Sequence, residues 1–139
     1  MNRKNNLERI VEQLSNGVAI VISLQKSNKF EEAQEHFGFE IERFLHTPYD
    51  QFIVDMSEEW IEIFLHKYGS SLELIENFGS LLLVGAELAF ETHRITEGFL
   101  LVTKCQRLFA MIIENKGDLS DDQERKVERL AVLISKFSN

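Results

Sequence analysis

The chain has 139 residues, 44% of them apolar and 27% charged, with one proline, one cysteine and seven glycines. That length and composition suit one soluble globular domain over 1–139, and they exclude disordered, collagen-like and disulfide-stapled classes. Fifteen basic residues stand against 23 acidic ones, a net charge of −8, which opposes non-specific attraction to nucleic acid or to an anionic membrane.

Arg3 and Lys4 begin the chain with positive charge, but Glu8, Arg9, Glu12 and Gln13 break the apolar core that a secretory leader needs, so mature sequence is expected there. Apolar positions then recur at intervals of three and four. With so little proline, this predicts an all-α fold: a compact bundle of five long helices and one short helix, with antiparallel hairpins. The first helix spans about Asn6 to Lys26 and aligns Leu7, Ile10, Val11, Leu14, Val18, Val21 and Ile22 on one face. Residues 17–22 have the local propensity of a buried strand, which the helical spacing on both sides outweighs. A turn at Ser27-Asn28 leads into a second helix, about Lys29 to His46, with Phe30, Ala33, Phe37, Ile41, Phe44 and Leu45 facing inward. Pro48 ends it by disfavouring helix at Thr47, and no element is assigned between Tyr49 and Met56. The short third helix begins at Ser57 as N-cap, places Glu58 and Glu59 at the positive end of the dipole, and ends at Gly69.

The fourth helix, about Ser71 to Glu91, is apolar around most of its circumference, leaving a polar strip of Glu73, Glu76, Ser80, Glu87 and Glu91. A helix of that kind belongs at the centre of its domain, and Gly79 and Gly85 are expected to admit close neighbours. The fifth, about Thr96 to Asn115, aligns Leu101, Val102, Cys105, Leu108, Phe109, Ile112 and Ile113, with Gly117 as terminator. The sixth opens on a capping box, Ser120 with Gln123, and continues with a narrow stripe of Val127, Leu130, Ala131, Ile134 and Phe137 that suits a covering helix. The longest apolar runs, 17–22 and 81–86, are far below the ~20 residues needed to cross a bilayer.

A faint repeat links the hairpins. Asn28-Lys29-Phe30-Glu31-Glu32-Ala33, followed by Phe37, has a degenerate copy in His93-Arg94-Ile95-Thr96-Glu97-Gly98, followed by Val102 and Cys105, and Phe30 and Ile95 are 65 residues apart. A small residue lets two antiparallel helices approach while flanking rings fill the space beside it. In these residues, with Leu7, Ile10, Gln13 and Leu14 before them and Ser120, Glu124, Lys126, Val127 and Leu130 after them, the chain resembles small bacterial tetratricopeptide-like helical-hairpin proteins of unknown function. The resemblance implies helical hairpins that contact other proteins. A middle repeat and the proline after each second helix are missing, which favours a compact bundle over an open solenoid.

Catalytic and metal motifs are scarce. Ala33, Arg43, Ile63 and Phe90 stand three residues before His36, His46, His66 and His93, so the Glu-x-x-His pattern of di-iron bundles is missing. Glu32/His36, Glu42/His46 and Glu62/His66 share helix faces and are expected to be surface pairs. No zinc spacing, nucleophile elbow or phosphate loop occurs, and no cofactor, metal ligand or catalytic residue is assigned. Cys105, alone and on an apolar stripe, is expected to be an inert core thiol in a reducing, cytoplasmic setting. Glu87 and Glu91 either line a cavity, where they bind a cation or polar ligand, or reach solvent.

Charge is unevenly distributed. Residues 31–62 hold ten acids against the single base Arg43, a local balance of −9, while the remainder is nearly neutral. Glu32, Glu35 and Glu42 surround Phe39, which lies half a turn from the inner face. Phe39 either packs on the 47–56 segment or offers a ring among carboxylates to a basic, partly apolar protein partner. The chain is therefore expected to be a non-enzymatic interaction or scaffold protein. The alternative is a small-molecule-binding bundle or enzyme with its site near Glu87 and Glu91. Self-association through Phe39, Leu100 and Met111 is a third expectation.

Overall fold

The computed structural model describes residues 3–69 and 71–138, with side chains from residue 6 onward. Seven helices occur among them: α1 (Arg3–Lys26), α2 (Phe30–Leu45), α3 (Tyr49–Val54), α4 (Glu59–Tyr68), α5 (Leu72–Glu91), α6 (Ile95–Lys116) and α7 (Asp121–Phe137). Residues 17–22 are helical, as their spacing predicts. Leu14, Val18 and Val21 are buried while Ala19 and Ile20 face out, so burial follows the helical period and overrides strand propensity.

Two local expectations are corrected. The unassigned segment after Pro48 is the six-residue α3, so the short helices number two. Pro48, at φ −56, lacks only an N–H that a helix start leaves unused, and its carbonyl accepts from Gln51 and Phe52. Burial of Phe52 and Ile53 holds so short a helix in place. Ser57 does not cap α4 in the expected way. It donates to Asp55 Oδ1 at 2.6 Å in a local turn, and α4 begins at Glu59, whose N–H reaches Ser57 Oγ at 3.3 Å. The other starts match expectation: Ser71 Oγ accepts from Leu74 N, and Ser120 and Gln123 close the reciprocal capping box.

The two hairpin turns are the same turn, 65 residues apart. Asn28 and His93 both take left-handed backbone, at φ 60 and 63. Lys29 N bonds to Leu24 O, and Arg94 N bonds to Ala89 O. Ala33 N bonds to Lys29 O, and Gly98 N bonds to Arg94 O. Ala33 and Gly98 are both buried where the paired helices meet.

Central α5 touches α1, α2, α6 and α7. It buries Leu74, Ile75, Phe78, Leu81, Leu82, Leu83, Val84, Leu88 and Phe90 among others, so no other helix has a comparable share of the core. Gly85 makes the contact with α2 possible, because a Cβ there would sit 2.2 Å from Phe37 Cζ. The helix α7 covers α5 and α6 with Leu130 and stacks Phe137 on Phe90 at 4.5 Å and 8°. Short helices α3 and α4 lie against α2, with α3 also reaching α6. Met111, expected at the surface, is buried, whereas Ile113 and Ala131, expected inside, are exposed. Each lies at the edge of its helix stripe, where a few degrees of rotation decide the side.

Candidate functional site

On α2 the residues Glu32, Glu35, Phe39 and Glu42 follow one another at steps of three, four and three, which keeps them on one outward stripe. All four are exposed, and Phe39 retains 55% of its accessible surface. The 47–56 segment does not cover it. Tyr49 instead packs edge-on against Phe37, at 5.6 Å and 75°, on the opposite side of α2. His36 lies 5.8 Å from the Phe39 ring, and the Arg43 guanidinium carbon lies 5.8 Å from its centroid. Glu42 also has a local task, accepting from Tyr49 N at 3.1 Å.

The acidic segment is not uniformly acidic at the surface. Glu40 is buried, with Arg43 Nη2 2.9 Å from Oε2 and His36 Nε2 3.2 Å from Oε1, the latter within ion-pair range but without hydrogen-bond geometry. Its carboxylate fills the space that a Cβ on Gly17 would occupy, at 2.5 Å. Asp55 accepts from Ser57, which holds its carboxyl below the usual range, and Glu58 pairs with Arg107 of α6 at 2.6 Å. His36 therefore lies against Glu40, not against Glu32 as the sequence suggested.

Glu87 and Glu91 edge an open hollow of about 640 Å³ that also includes Phe90, His93 and Phe137. Both carboxylates already have partners on other helices. Arg129 of α7 reaches Glu87 at 2.6 Å, and Gln25 of α1 donates to Glu91 at 2.8 Å. With Glu76, which accepts from Gln123 at 3.0 Å and lies 3.4 Å from Lys126, the strip joins α5 to its neighbours. Cys105 is fully buried and donates to Gly79 O at 3.2 Å, and burial pushes its thiol pKa far up. No group of three or more metal-ligating side chains occurs among the described residues.

Models of known protein families, curated proteins and solved structures contain no match to this chain. Among the described residues, no helix is long and apolar enough to cross a membrane.

Two residues that matter were not singled out in the sequence: Glu40 and Lys104. Each stands three residues after the first member of an apolar stripe, Phe37-Glu40-Ile41-Phe44 on α2 and Leu101-Lys104-Cys105-Leu108 on α6. A charge at such a position is the signal that would have found them.

Proposed function

We propose that this chain is a non-enzymatic interaction protein of the tetratricopeptide-like kind, which docks a basic, partly apolar protein segment on the outward stripe of α2. The observation that carries the reading is Phe39, 55% exposed and in register with the carboxylates of Glu32, Glu35 and Glu42. An exposed ring supplies an apolar anchor, and carboxylates on either side select positive charge and speed encounter. Arg43 and His36 border the ring, so the partner's cations belong toward Glu32 and Glu35 at the N-terminal part of the stripe. The matching turns at Asn28 and His93, and the packing of α5 against α1, α2 and α6, support the hairpin-repeat kinship. A single buried thiol fits the cytoplasmic setting of the same reading.

Titration with a synthetic amphipathic helix carrying Lys, Arg and Leu, followed by fluorescence anisotropy, tests it. Wild type is expected to bind that peptide, and to ignore a Glu-substituted version. Phe39→Ala is expected to weaken binding by about tenfold, roughly 1–2 kcal/mol. Glu32→Gln with Glu35→Gln should mainly slow association and reduce its salt dependence. Equal affinity of all three proteins for the basic peptide would remove the α2 stripe from consideration.

A further inference from the structure

Lys104 is 5% exposed and forms no ion pair with a carboxylate among the described residues. Its ammonium donates to the carbonyl oxygen of Asp55 and lies 5.1 Å from the Phe52 ring and 5.8 Å from that of Trp60. The Asp55 carboxylate is turned to Ser57, accepting from both its N and Oγ. A lysine has three donor protons, so the one carbonyl leaves this buried cation short of hydrogen bonds, and the Asp55 carboxylate offsets its charge only from a distance, with no direct ion pair. Burial lowers its pKa, and the Asp55 carboxylate only partly opposes that lowering.

Lys104 also lines a hollow of about 340 Å³ between the 56–61 segment and α6, together with Met56, Trp60, Ile61 and Ala110. Ligand pockets generally measure about 300–1,000 Å³ and combine apolar walls with few polar groups, and this hollow has that character. The other charged groups at its rim, Arg107 and Glu58, are paired with each other at 2.6 Å, and Arg107 is also 3.3 Å from Glu114. Of the two cations at the hollow, Lys104 is thus the one with no acid in direct contact among the described residues.

We propose that this hollow binds a small free organic acid, its carboxylate completing the shell of Lys104 and its hydrocarbon lying on Trp60 and Ile61. The site is independent of the α2 stripe, since it is built from the 56–61 segment and α6. Charge selects the ligand class. An alkyl ammonium would meet a buried like charge, and an alcohol of the same length would leave the lysine uncompensated.

Trp60 is the only tryptophan in the chain, so its emission reports on this hollow alone. Octanoate titrated into the full-length protein at neutral pH is expected to change Trp60 emission saturably, with octanol and octylammonium at least about tenfold weaker. Lys104→Met should keep the far-UV circular dichroism and lose octanoate affinity by at least about tenfold. Ala110→Phe, which places a ring in the hollow and leaves the lysine in position, should abolish the emission change and serves alone if Lys104→Met does not fold. The proposal is overturned by octanol binding as tightly as octanoate, by unchanged octanoate affinity in either variant, or by no saturable change up to about 10 mM.

Discussion

Glu40 and Lys104 put the same question to residue-scale chemistry: what compensates a charge inside an apolar stripe. Glu40 has the Arg43 guanidinium in direct contact on its own helix, whereas Lys104 has one carbonyl, two ring faces and only the more distant Asp55 carboxylate. Replacing a poorly compensated buried ion with an apolar side chain of similar shape is neutral or stabilising. Lys104→Met is therefore expected to unfold in urea at the wild-type midpoint or later, by up to about 1 kcal/mol at pH 7. The pH dependence has a definite sign. Because the folded-state pKa is lowered, the penalty is full while Lys104 is charged and is relieved as pH rises from that lowered value toward the ordinary 10.5. Wild type should gain stability relative to Lys104→Met over that alkaline range. A second residue-scale expectation concerns Cys105, which is fully buried with its thiol pKa raised. A disulfide reagent should label it only at the rate of global opening, and rapid labelling of native protein would place it in a mobile, accessible region.

At the scale of elements, close approach between helices decides the architecture. Gly85 admits the Phe37 ring so that α2 can lie on α5, and a methyl group there would overlap three ring carbons at 2.2 to 2.6 Å. Alanine gains about 1 kcal/mol of helix propensity over glycine, but a displaced core ring costs about 1–3 kcal/mol or more, so packing outweighs propensity. Gly85→Ala is expected to lose net stability by about 1–2 kcal/mol in chemical denaturation, and a stabilised variant would show that α2 can slide freely on α5. The repeat at 28–33 and 93–98 is legible in sequence as small and polar residues at matching offsets. The turns themselves share the left-handed residue and the same hydrogen-bond pattern. What the sequence pattern did not reveal is α3, whose six residues contain too few turns for a period to emerge, and which is held by the burial of Phe52 and Ile53.

For the whole molecule, charge and apolar exposure set how it meets others. Among the described residues the exposed large apolar side chains are Ile20, Phe39, Val54, Ile63, Ile113 and Val132, on six different helices, and Met56, between α3 and α4. A stable dimer generally buries about 1,200–2,000 Å² of continuous surface. The chain is therefore expected to run as a monomer of 16.2 kDa in light scattering, and Phe39→Ala is expected to leave that mass unchanged. Twice that mass in wild type alone would reassign Phe39 from partner docking to self-association.

Sequence alone determined the helical class and the central place of α5, which follow from periodicity along single helices, and the two related hairpins, which follow from a repeat; that Phe39 stays uncovered was decided by the tertiary structure. Tertiary structure alone decided which charges matter. Whether Glu87 and Glu91 are free or tied to Arg129 and Gln25, whether Glu40 faces water or Gly17, and whether Lys104 borders a hollow all depend on residues distant in the chain. The physical reason is that hydrophobic burial is repeated over many positions and survives as a pattern. The energy of an ion, by contrast, depends on the few atoms that surround it and on whether water reaches it.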